Sequence, residues 1–187
     1  MHPFVVEFPT MLRKIQPHKV RAPGGSFAIV ASRYNARYVD AMLRAAKAEL
    51  WRAEAASIQV VRVPGAYEIP IAAKHLARTA HLSTPDPAAI AARSSAASPQ
   101  RRHLSAIICL GVILRGETVH AAHIGEAVSR ALMQIQLEHE IPIVHEVLLL
   151  ENEGQARARC LNPKHNRGTE AAQTAMAMAH VMEKLRG

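Results

Sequence analysis

The sequence predicts a three-layer α/β/α sandwich built around a four-stranded parallel sheet, on the strength of two patterns. Short apolar runs, typical of strands buried on both faces, occur at 27–31 and 105–110, and two further strands are predicted at 58–63 and 142–149. Segments with helical spacing of apolar residues follow these runs, at 40–53, 67–80, 119–138, 152–160 and 169–186. Strands that alternate with helices form parallel sheets through right-handed crossovers, so we expect helices on both faces of the sheet.

Composition narrows the function classes. The chain has 187 residues, enough for one domain, and its 23 Lys and Arg against 15 Asp and Glu give a net charge of +8 that attracts anions. Aromatic residues are only 4%, which disfavours stacking on nucleic acid, so phosphorylated metabolites are the better partners. We expect no membrane association, because no apolar stretch reaches membrane-spanning length. Two cysteines are too few for a disulfide framework and indicate a cytoplasmic protein.

Two segments depart from the alternation of strands and helices. Residues 1–25 read as an N-terminal arm that ends in a Pro-Gly-Gly cluster, and whether they target an organelle stays open. Residues 82–104 are small, polar and basic, so we expect a mobile insertion with a solvated charge run. The rest of 1–187 is expected to form a single domain.

The stretch 110–120 combines a glycine-containing turn, a predicted anion site and a histidine. It predicts a strand end, a turn with Gly111 and Gly116, and a helix N-terminus, where free N–H groups near Glu117 and Thr118 form an anion site. His120 adds a titratable group in the first turn of that helix. Ligands of α/β proteins bind at the carboxyl ends of strands, where this turn lies. A plain turn with an exposed histidine is the alternative.

The turns after the first two strands carry further candidates. Tyr34 either presents a ring to a flat heterocycle or packs against the protein. Glu68 follows Pro64-Gly65 and either stabilises a helix N-terminus or accepts hydrogen bonds from a polyhydroxyl ligand. His120 and His123 share a helix face without a carboxylate or thiolate at a telling spacing, so we expect no metal. The residues indicate a phosphate-handling enzyme without an evident cofactor.

Arg159 and Arg167 flank a basic turn. Each guanidinium could bind a phosphate in bidentate fashion, or contribute only surface charge.

Four motifs occur in the order and spacing of one family: Arg33–Asn35, Val63–Pro70, Leu110–His120 and His165–Gly168. In these motifs the chain resembles the lumazine synthases (6,7-dimethyl-8-ribityllumazine synthases). The resemblance implies a flavodoxin-like fold and a step of riboflavin biosynthesis, the condensation of 5-amino-6-(D-ribitylamino)uracil with 3,4-dihydroxy-2-butanone 4-phosphate. It implies no metal and no organic cofactor, because the substrate's own amine forms the Schiff base.

The resemblance also assigns roles to individual residues. His120 would shuttle protons and Arg159 would pair with the departing phosphate, and Glu170 could orient His120. Tyr34 would stack on the pyrimidine, with His145 and Arg167 also near it. The remaining assignments are to the ribitylamino chain (Ala66, Tyr67, Glu68), to the uracil edge through main-chain groups (Val112, Ile113, Leu114) and to the phosphate (Glu117, Thr118).

Lumazine synthases place the active site between neighbouring subunits of a pentamer. The resemblance therefore implies a homopentamer in which His145, Arg159 and Arg167 come from the next subunit, and it leaves a shell of sixty subunits open. The sequence departs from the family at Ala121-Ala122-His123, where an aromatic residue and an acid are common, and at His145, where an aromatic or apolar residue is typical. A non-catalytic flavin- or lumazine-binding assembly on the same fold is the alternative.

Overall fold

A computed structural model describes residues 22, 24–80 and 103–187, and a four-stranded parallel sheet lies at its centre. The order across the sheet is β2-β1-β3-β4. The strands are β1 (Ser26–Ser32), β2 (Ser57–Val63), β3 (Ala106–Leu114) and β4 (Ile143–Leu150). The predicted arm at 1–25 and the predicted insertion at 82–104 fall almost wholly outside the described residues.

The predicted helices are all present. They are α1 (Ala36–Arg52), α2 (Ile69–Ala80), α3 (His120–His139), α4 (Glu153–Ala156) and α5 (Arg167–Arg186). A 3₁₀ turn (Ala66–Glu68) precedes α2, and a π-helical turn (Arg157–Leu161) follows α4. Helix α1 begins four residues before the predicted start, because Tyr38 and Val39 are buried and anchor its first turn in the core. No helix in the described ranges is long and apolar enough to cross a membrane.

The helices cover both faces of the sheet, which confirms the three-layer sandwich. Alternate strand residues point to opposite faces, so Ile29 and Ile108 pack under α1 and α5 while Val30 and Cys109 pack under α2 and α3. The central strands β1 and β3 are buried on both faces, as their continuous apolar runs predict.

Gly168 sets the contact between α1 and α5. A Cβ built on Gly168 would lie 2.0 Å from the carbonyl oxygen of Met42 and 2.6 Å from its carbonyl carbon. Neighbours this close are backbone and cannot swing away. Only glycine therefore lets the first turn of α5 rest directly on α1, and this part of the 165–168 motif has a packing role.

The predicted turn at Gly111 is wrong, because β3 continues through Gly111 to Leu114. The strand pairs with β4 over this whole length, from Ile107↔Ile143 to Leu114↔Leu150. A Cβ on Gly111 would meet Val147 Cγ1 at 3.0 Å and Ile69 Cδ1 at 3.2 Å, so the glycine permits close packing within the strand. The extension places the main chain of 112–114 at the carboxyl edge of the sheet and moves the turn to 115–119.

Candidate active site

The turns at the carboxyl ends of β1, β2 and β3 surround a cleft of about 990 Å³. Three parallel strands end at the same edge of the sheet, so residues far apart in sequence meet there. The cleft brings together the following sequence-predicted residues: Tyr34, Ala66, Tyr67, Glu68, Val112, Ile113, Leu114, Thr118 and His120. Glu117 is exposed beside it and does not line it.

Hydrogen bonds fix the turn that carries Tyr34. The Tyr34 N–H donates to the carbonyl of Pro64 at 3.0 Å, and the ring is 74% exposed, so it is not a packing aromatic within this chain. Asn35 adopts the left-handed conformation (φ 54°), and its Nδ2 donates to the carbonyl of Val112 at 2.8 Å. Asn35 also lines the cleft. Sequence reasoning missed it as a site residue, although asparagine tolerates positive φ better than most residues.

Glu68 stabilises its own turn. Its Oε2 accepts the N–H of Gly65 at 2.8 Å and so caps the 3₁₀ turn before α2. This bond uses one carboxylate oxygen, and the residue still lines the cleft beside Tyr67, which is 64% exposed. The two readings of Glu68, a helix-end acid and a ligand acceptor, are therefore compatible.

His120 is the first residue of α3, as predicted for a first-turn histidine. No side chain caps this terminus at its N-cap residue, Val119, whose carbonyl accepts the N–H groups of Ala122 and His123. The end of a 20-residue helix thus opens toward the cleft with a partial positive charge and free N–H groups. His123 lines the cleft too. Within the described ranges, no group of three or more His, Cys, Asp or Glu residues could hold a metal.

The cleft lacks a full positive charge. None of the described residues that line it is a Lys or an Arg. Among the described lining residues, the features that attract a phosphate are the helix terminus, two imidazoles and the Thr118 hydroxyl, although the whole chain has a charge of +8. The predicted cations, Arg159 and Arg167, lie elsewhere on the chain.

Arg167 is held by two carboxylates. Its Nε and Nη2 donate to Glu146 at 3.0 and 2.8 Å, and its Nη1 donates to Glu170 at 2.6 Å. Glu146 is only 6% exposed; burial raises the pKa of its carboxyl group, and the guanidinium of Arg167 opposes that rise. Burial alone would lower the pKa of Arg167, but the two carboxylates raise it. In this chain Glu170 therefore bonds Arg167 rather than His120.

Arg159 lies on the π-helical turn and is exposed. In the described part of the chain it forms no hydrogen bond or ion pair, and it feels the charge of Glu146 only at longer range. The turn is anchored next to it, because Cys160 is fully buried and its carbonyl accepts a hydrogen bond from Asn166 Nδ2. Among the described residues, Arg159 is thus an unpaired cation, and the turn that carries it is held in place.

Neither thiol can serve as a nucleophile in the folded chain. Cys109 and Cys160 are free and buried. Burial raises the pKa of Cys160 to about 11, and burial raises the pKa of Cys109 as well. His145, the last predicted site residue, lies on β4 with its ring against Ser129 of α3 and does not line the cleft.

Comparison with known proteins gives one consistent result. The family model of 6,7-dimethyl-8-ribityllumazine synthase matches residues 24–183. A 6,7-dimethyl-8-ribityllumazine synthase of Xanthomonas oryzae pv. oryzae (strain PXO99A) is 34% identical over 89% of this chain and 95% of its own length. One of Stenotrophomonas maltophilia (strain R551-3) is 35% identical over 85% of this chain and 90% of its own length. The chain therefore belongs to the 6,7-dimethyl-8-ribityllumazine synthase family.

Proposed function

We propose that the chain condenses 5-amino-6-(D-ribitylamino)uracil with 3,4-dihydroxy-2-butanone 4-phosphate to 6,7-dimethyl-8-ribityllumazine, phosphate and water, in riboflavin biosynthesis. One observation carries the proposal. His120, at the uncapped N-terminus of α3, shares a single cleft with Tyr34, Glu68 and the main chain of 112–114. The family membership of the chain supports the same reaction.

The pyrimidine substrate would bind through shape and hydrogen bonds. Tyr34 would stack on the uracil ring, and the main-chain groups of 112–114 would pair with its edge. Tyr67 and Ala66 would flank the ribitylamino chain, whose hydroxyl groups donate to the carboxylate of Glu68. Because Glu68 already bonds the Gly65 N–H, its carboxylate is oriented before the substrate arrives.

The phosphorylated substrate would bind at the N-terminus of α3. Free N–H groups and Thr118 would contact the phosphate there, with Glu117 beside them. His120 would move protons as the Schiff base of the substrate's own amine forms and the phosphate leaves, since imidazole gives and takes protons near neutral pH. No protein nucleophile is required, and both thiols are buried. We propose no metal and no organic cofactor.

The cleft needs a cation from a second copy of the chain. Its described lining has no Lys or Arg, whereas Arg159 is exposed at another place on the same chain and has no partner among the described residues. The outer faces of α2 and α3 also expose Ile71, Met133 and Leu137, each more than half exposed, as a subunit contact requires. These features support the homopentamer that the resemblance implies, and we propose that Arg159, His145 and Arg167 of one subunit complete the cleft of the next.

The size of the assembly and the cellular location stay predictions. A pentamer and a shell of sixty subunits share the same site, so the site does not choose between them. A cytoplasmic location agrees with two free, buried thiols.

Turnover measured by the absorbance of the lumazine tests the reaction. We expect formation well above the uncatalysed condensation, and His120→Ala should lower kcat roughly 10- to 100-fold, because proximity supplies much of the remaining rate. His180→Ala, an exposed histidine on α5, is the matched control. Background turnover from a folded wild-type protein that retains a yellow ligand would contradict the proposal and favour a binding assembly.

Mixed assemblies test the shared site. In a ring assembled at random from equal amounts of His120→Ala and Arg159→Ala chains, about one interface in four pairs an intact His120 with an intact Arg159. At a concentration of the phosphorylated substrate far below the KM of Arg159→Ala, we expect co-expressed, separately tagged chains to recover about a quarter of wild-type activity, well above either variant alone. Activity no higher than the mean of the two variants would show that each chain supplies its own site.

A further inference from the structure

Both nitrogens of the His145 imidazole are occupied within the chain. The N–H of Val147 donates to Nδ1 at 3.2 Å, and Nε2 lies 2.8 Å from Ser129 Oγ. The Ser129 hydroxyl in turn donates to the carbonyl of Gly125, 2.7 Å away on the preceding turn of α3. The bond between His145 and Ser129 therefore joins β4 to α3, and one further bond on each side holds its two ends.

These bonds fix the tautomer. A backbone N–H can only donate, so Nδ1 must accept and carries no proton. The Ser129 proton is used on Gly125, so Ser129 Oγ accepts from Nε2, which carries the proton. If Nδ1 were protonated, its N–H would face the N–H of Val147, and neither donor would have an acceptor there. Desolvation lowers the pKa of His145 and so also favours the neutral ring. A hydrogen bond to its own backbone raises the pKa, but this effect is smaller.

His145 belongs to the exposed residues although both of its ring nitrogens are occupied. Among the residues that the structure describes, β4 has β3 as its only neighbour in the sheet. A ring with both nitrogens satisfied offers no further strong hydrogen bond to a ligand. It offers a flat, neutral, polarisable surface, which suits stacking on a heterocycle.

We infer that Ser129 is a positioning residue that holds His145 as a neutral, flat ring, so that His145 meets the pyrimidine substrate in the neighbouring subunit's cleft by stacking and not as an acid, a base or a hydrogen-bond donor. The inference rests on the proposed function for the placement of His145 at that cleft. It explains how a histidine can occupy this position without adding a charge there. It adds Ser129 and Gly125, on α3, to the residues that shape the pyrimidine site.

A purely structural role is the competing explanation. His145 satisfies the N–H of Val147 on an edge strand, and covering an exposed strand edge is useful by itself. If the role is purely structural, Ser129→Ala should lower the stability of the fold and leave the binding of both substrates unchanged. If Ser129 positions the ring, Ser129→Ala should weaken the binding of the pyrimidine substrate and leave the binding of the phosphorylated substrate unchanged.

The first experiment reads the tautomer directly and does not depend on turnover. ¹⁵N chemical shifts of the His145 ring in the whole protein should show a protonated Nε2 and an unprotonated Nδ1. Ser129→Ala should leave Nδ1 unprotonated, because the Val147 N–H still donates to it, but should shift the Nε2 resonance as that proton loses its acceptor. Ser129→Thr, which keeps the hydroxyl, should restore the wild-type Nε2 shift. A protonated Nδ1 in the wild-type protein would overturn the inference.

The second experiment separates the flat ring from its nitrogens. His145→Phe should leave the KM for the pyrimidine substrate within about threefold of wild type, and His145→Ala should raise it roughly 10-fold. Ser129→Ala should raise it about threefold, with kcat and the KM for the phosphorylated substrate unchanged. Equal losses in His145→Phe and His145→Ala, or no loss in His145→Ala, would overturn the inference. Lack of turnover in the wild type would instead refute the proposed function, and the ¹⁵N result would still decide the role of Ser129.

Discussion

Replacing Arg167 by methionine would leave a buried carboxylate without its partner. Arg167 makes two hydrogen bonds to Glu146 and one to Glu170, and Glu146 is 6% exposed. Removing one partner of a fully buried pair costs about 3 to 5 kcal/mol. The side chain of Arg167 is 32% exposed, so water screens part of the pair, and we expect Arg167→Met to cost about 2 to 3 kcal/mol at neutral pH.

The cost should depend on pH in a defined direction. Without Arg167, burial raises the pKa of Glu146 further above its value in the unfolded chain, so the folded state binds the proton more tightly. Stability is then lost as pH rises from the unfolded pKa through the folded one, and the cost of the substitution vanishes below both. Arg167→Met should therefore approach wild-type stability near pH 4 and fall behind it progressively toward pH 7.

Urea unfolding at fixed protein concentration, from pH 4 to 8, measures this difference. The double variant Glu146→Gln/Arg167→Met is the matched control, because it removes the buried charge together with its partner. Its stability relative to wild type should be nearly independent of pH and should exceed that of Arg167→Met at pH 7. A loss in Arg167→Met that is the same at every pH would refute the buried-charge reasoning.

Four further predictions concern packing, substrate binding and the thiols. Gly168→Ala should destabilise the fold by about 3 kcal/mol or more, since its Cβ would lie 2.0 Å from the Met42 oxygen, whereas Gly116→Ala, with no atom within 4 Å, should be nearly neutral in thermal unfolding. Arg159→Ala should raise the KM for the phosphorylated substrate; a change confined to the pyrimidine would contradict its assignment. Asn35→Ala should weaken pyrimidine binding with little change in phosphate affinity, because the Val112 carbonyl loses its partner; unchanged affinity in calorimetry would show that the turn is fixed otherwise. Cys160 should resist iodoacetamide at pH 8 in mass spectrometry, because a pKa of about 11 leaves roughly one thiolate in a thousand; rapid labelling of the folded protein would contradict its burial.

The order and type of the elements could be predicted because the signals are local. The central strands β1 and β3 are largely apolar runs, and each long helix has an apolar stripe, so the alternation and the parallel sheet follow from neighbours in sequence. The end of β3 could not be predicted in the same way. Gly111 reads as a turn residue by itself, and only its opposition to Val147 on β4 shows that it is a packing glycine inside a strand.

The candidate site likewise has residues that the sequence predicts and contacts that it does not. Tyr34, Glu68 and His120 could be placed in one cleft from the sequence, since each follows a strand and strand ends share one edge. The double ion pair of Arg167 could not, because Glu146 interrupts an apolar strand without any local sign of its partner. The Asn35–Val112 hydrogen bond joins residues 77 positions apart, and it could not be predicted because nothing near either residue in sequence indicates its partner.

The separation of the cleft from Arg159 bears on the kind of assembly. The cleft with His120 lies at the ends of β1, β2 and β3, whereas Arg159 lies on the turn after α4 and does not line it. If Arg159 of one copy enters the cleft of another, the two surfaces in contact differ, and the contact is heterologous unless the same two copies exchange both contacts across a two-fold axis. Contacts of this kind either close into a ring or continue as an open filament, and only a closed ring gives every subunit one complete site. A ring therefore explains the free cation and the cation-poor cleft together, whereas a two-fold dimer built on this contact would have to join each cleft to Arg159 of the same partner across a single axis. The recovery of about a quarter of the activity in mixed assemblies follows whenever each site draws on two chains, because a site is intact only when both chains supply the unaltered residue.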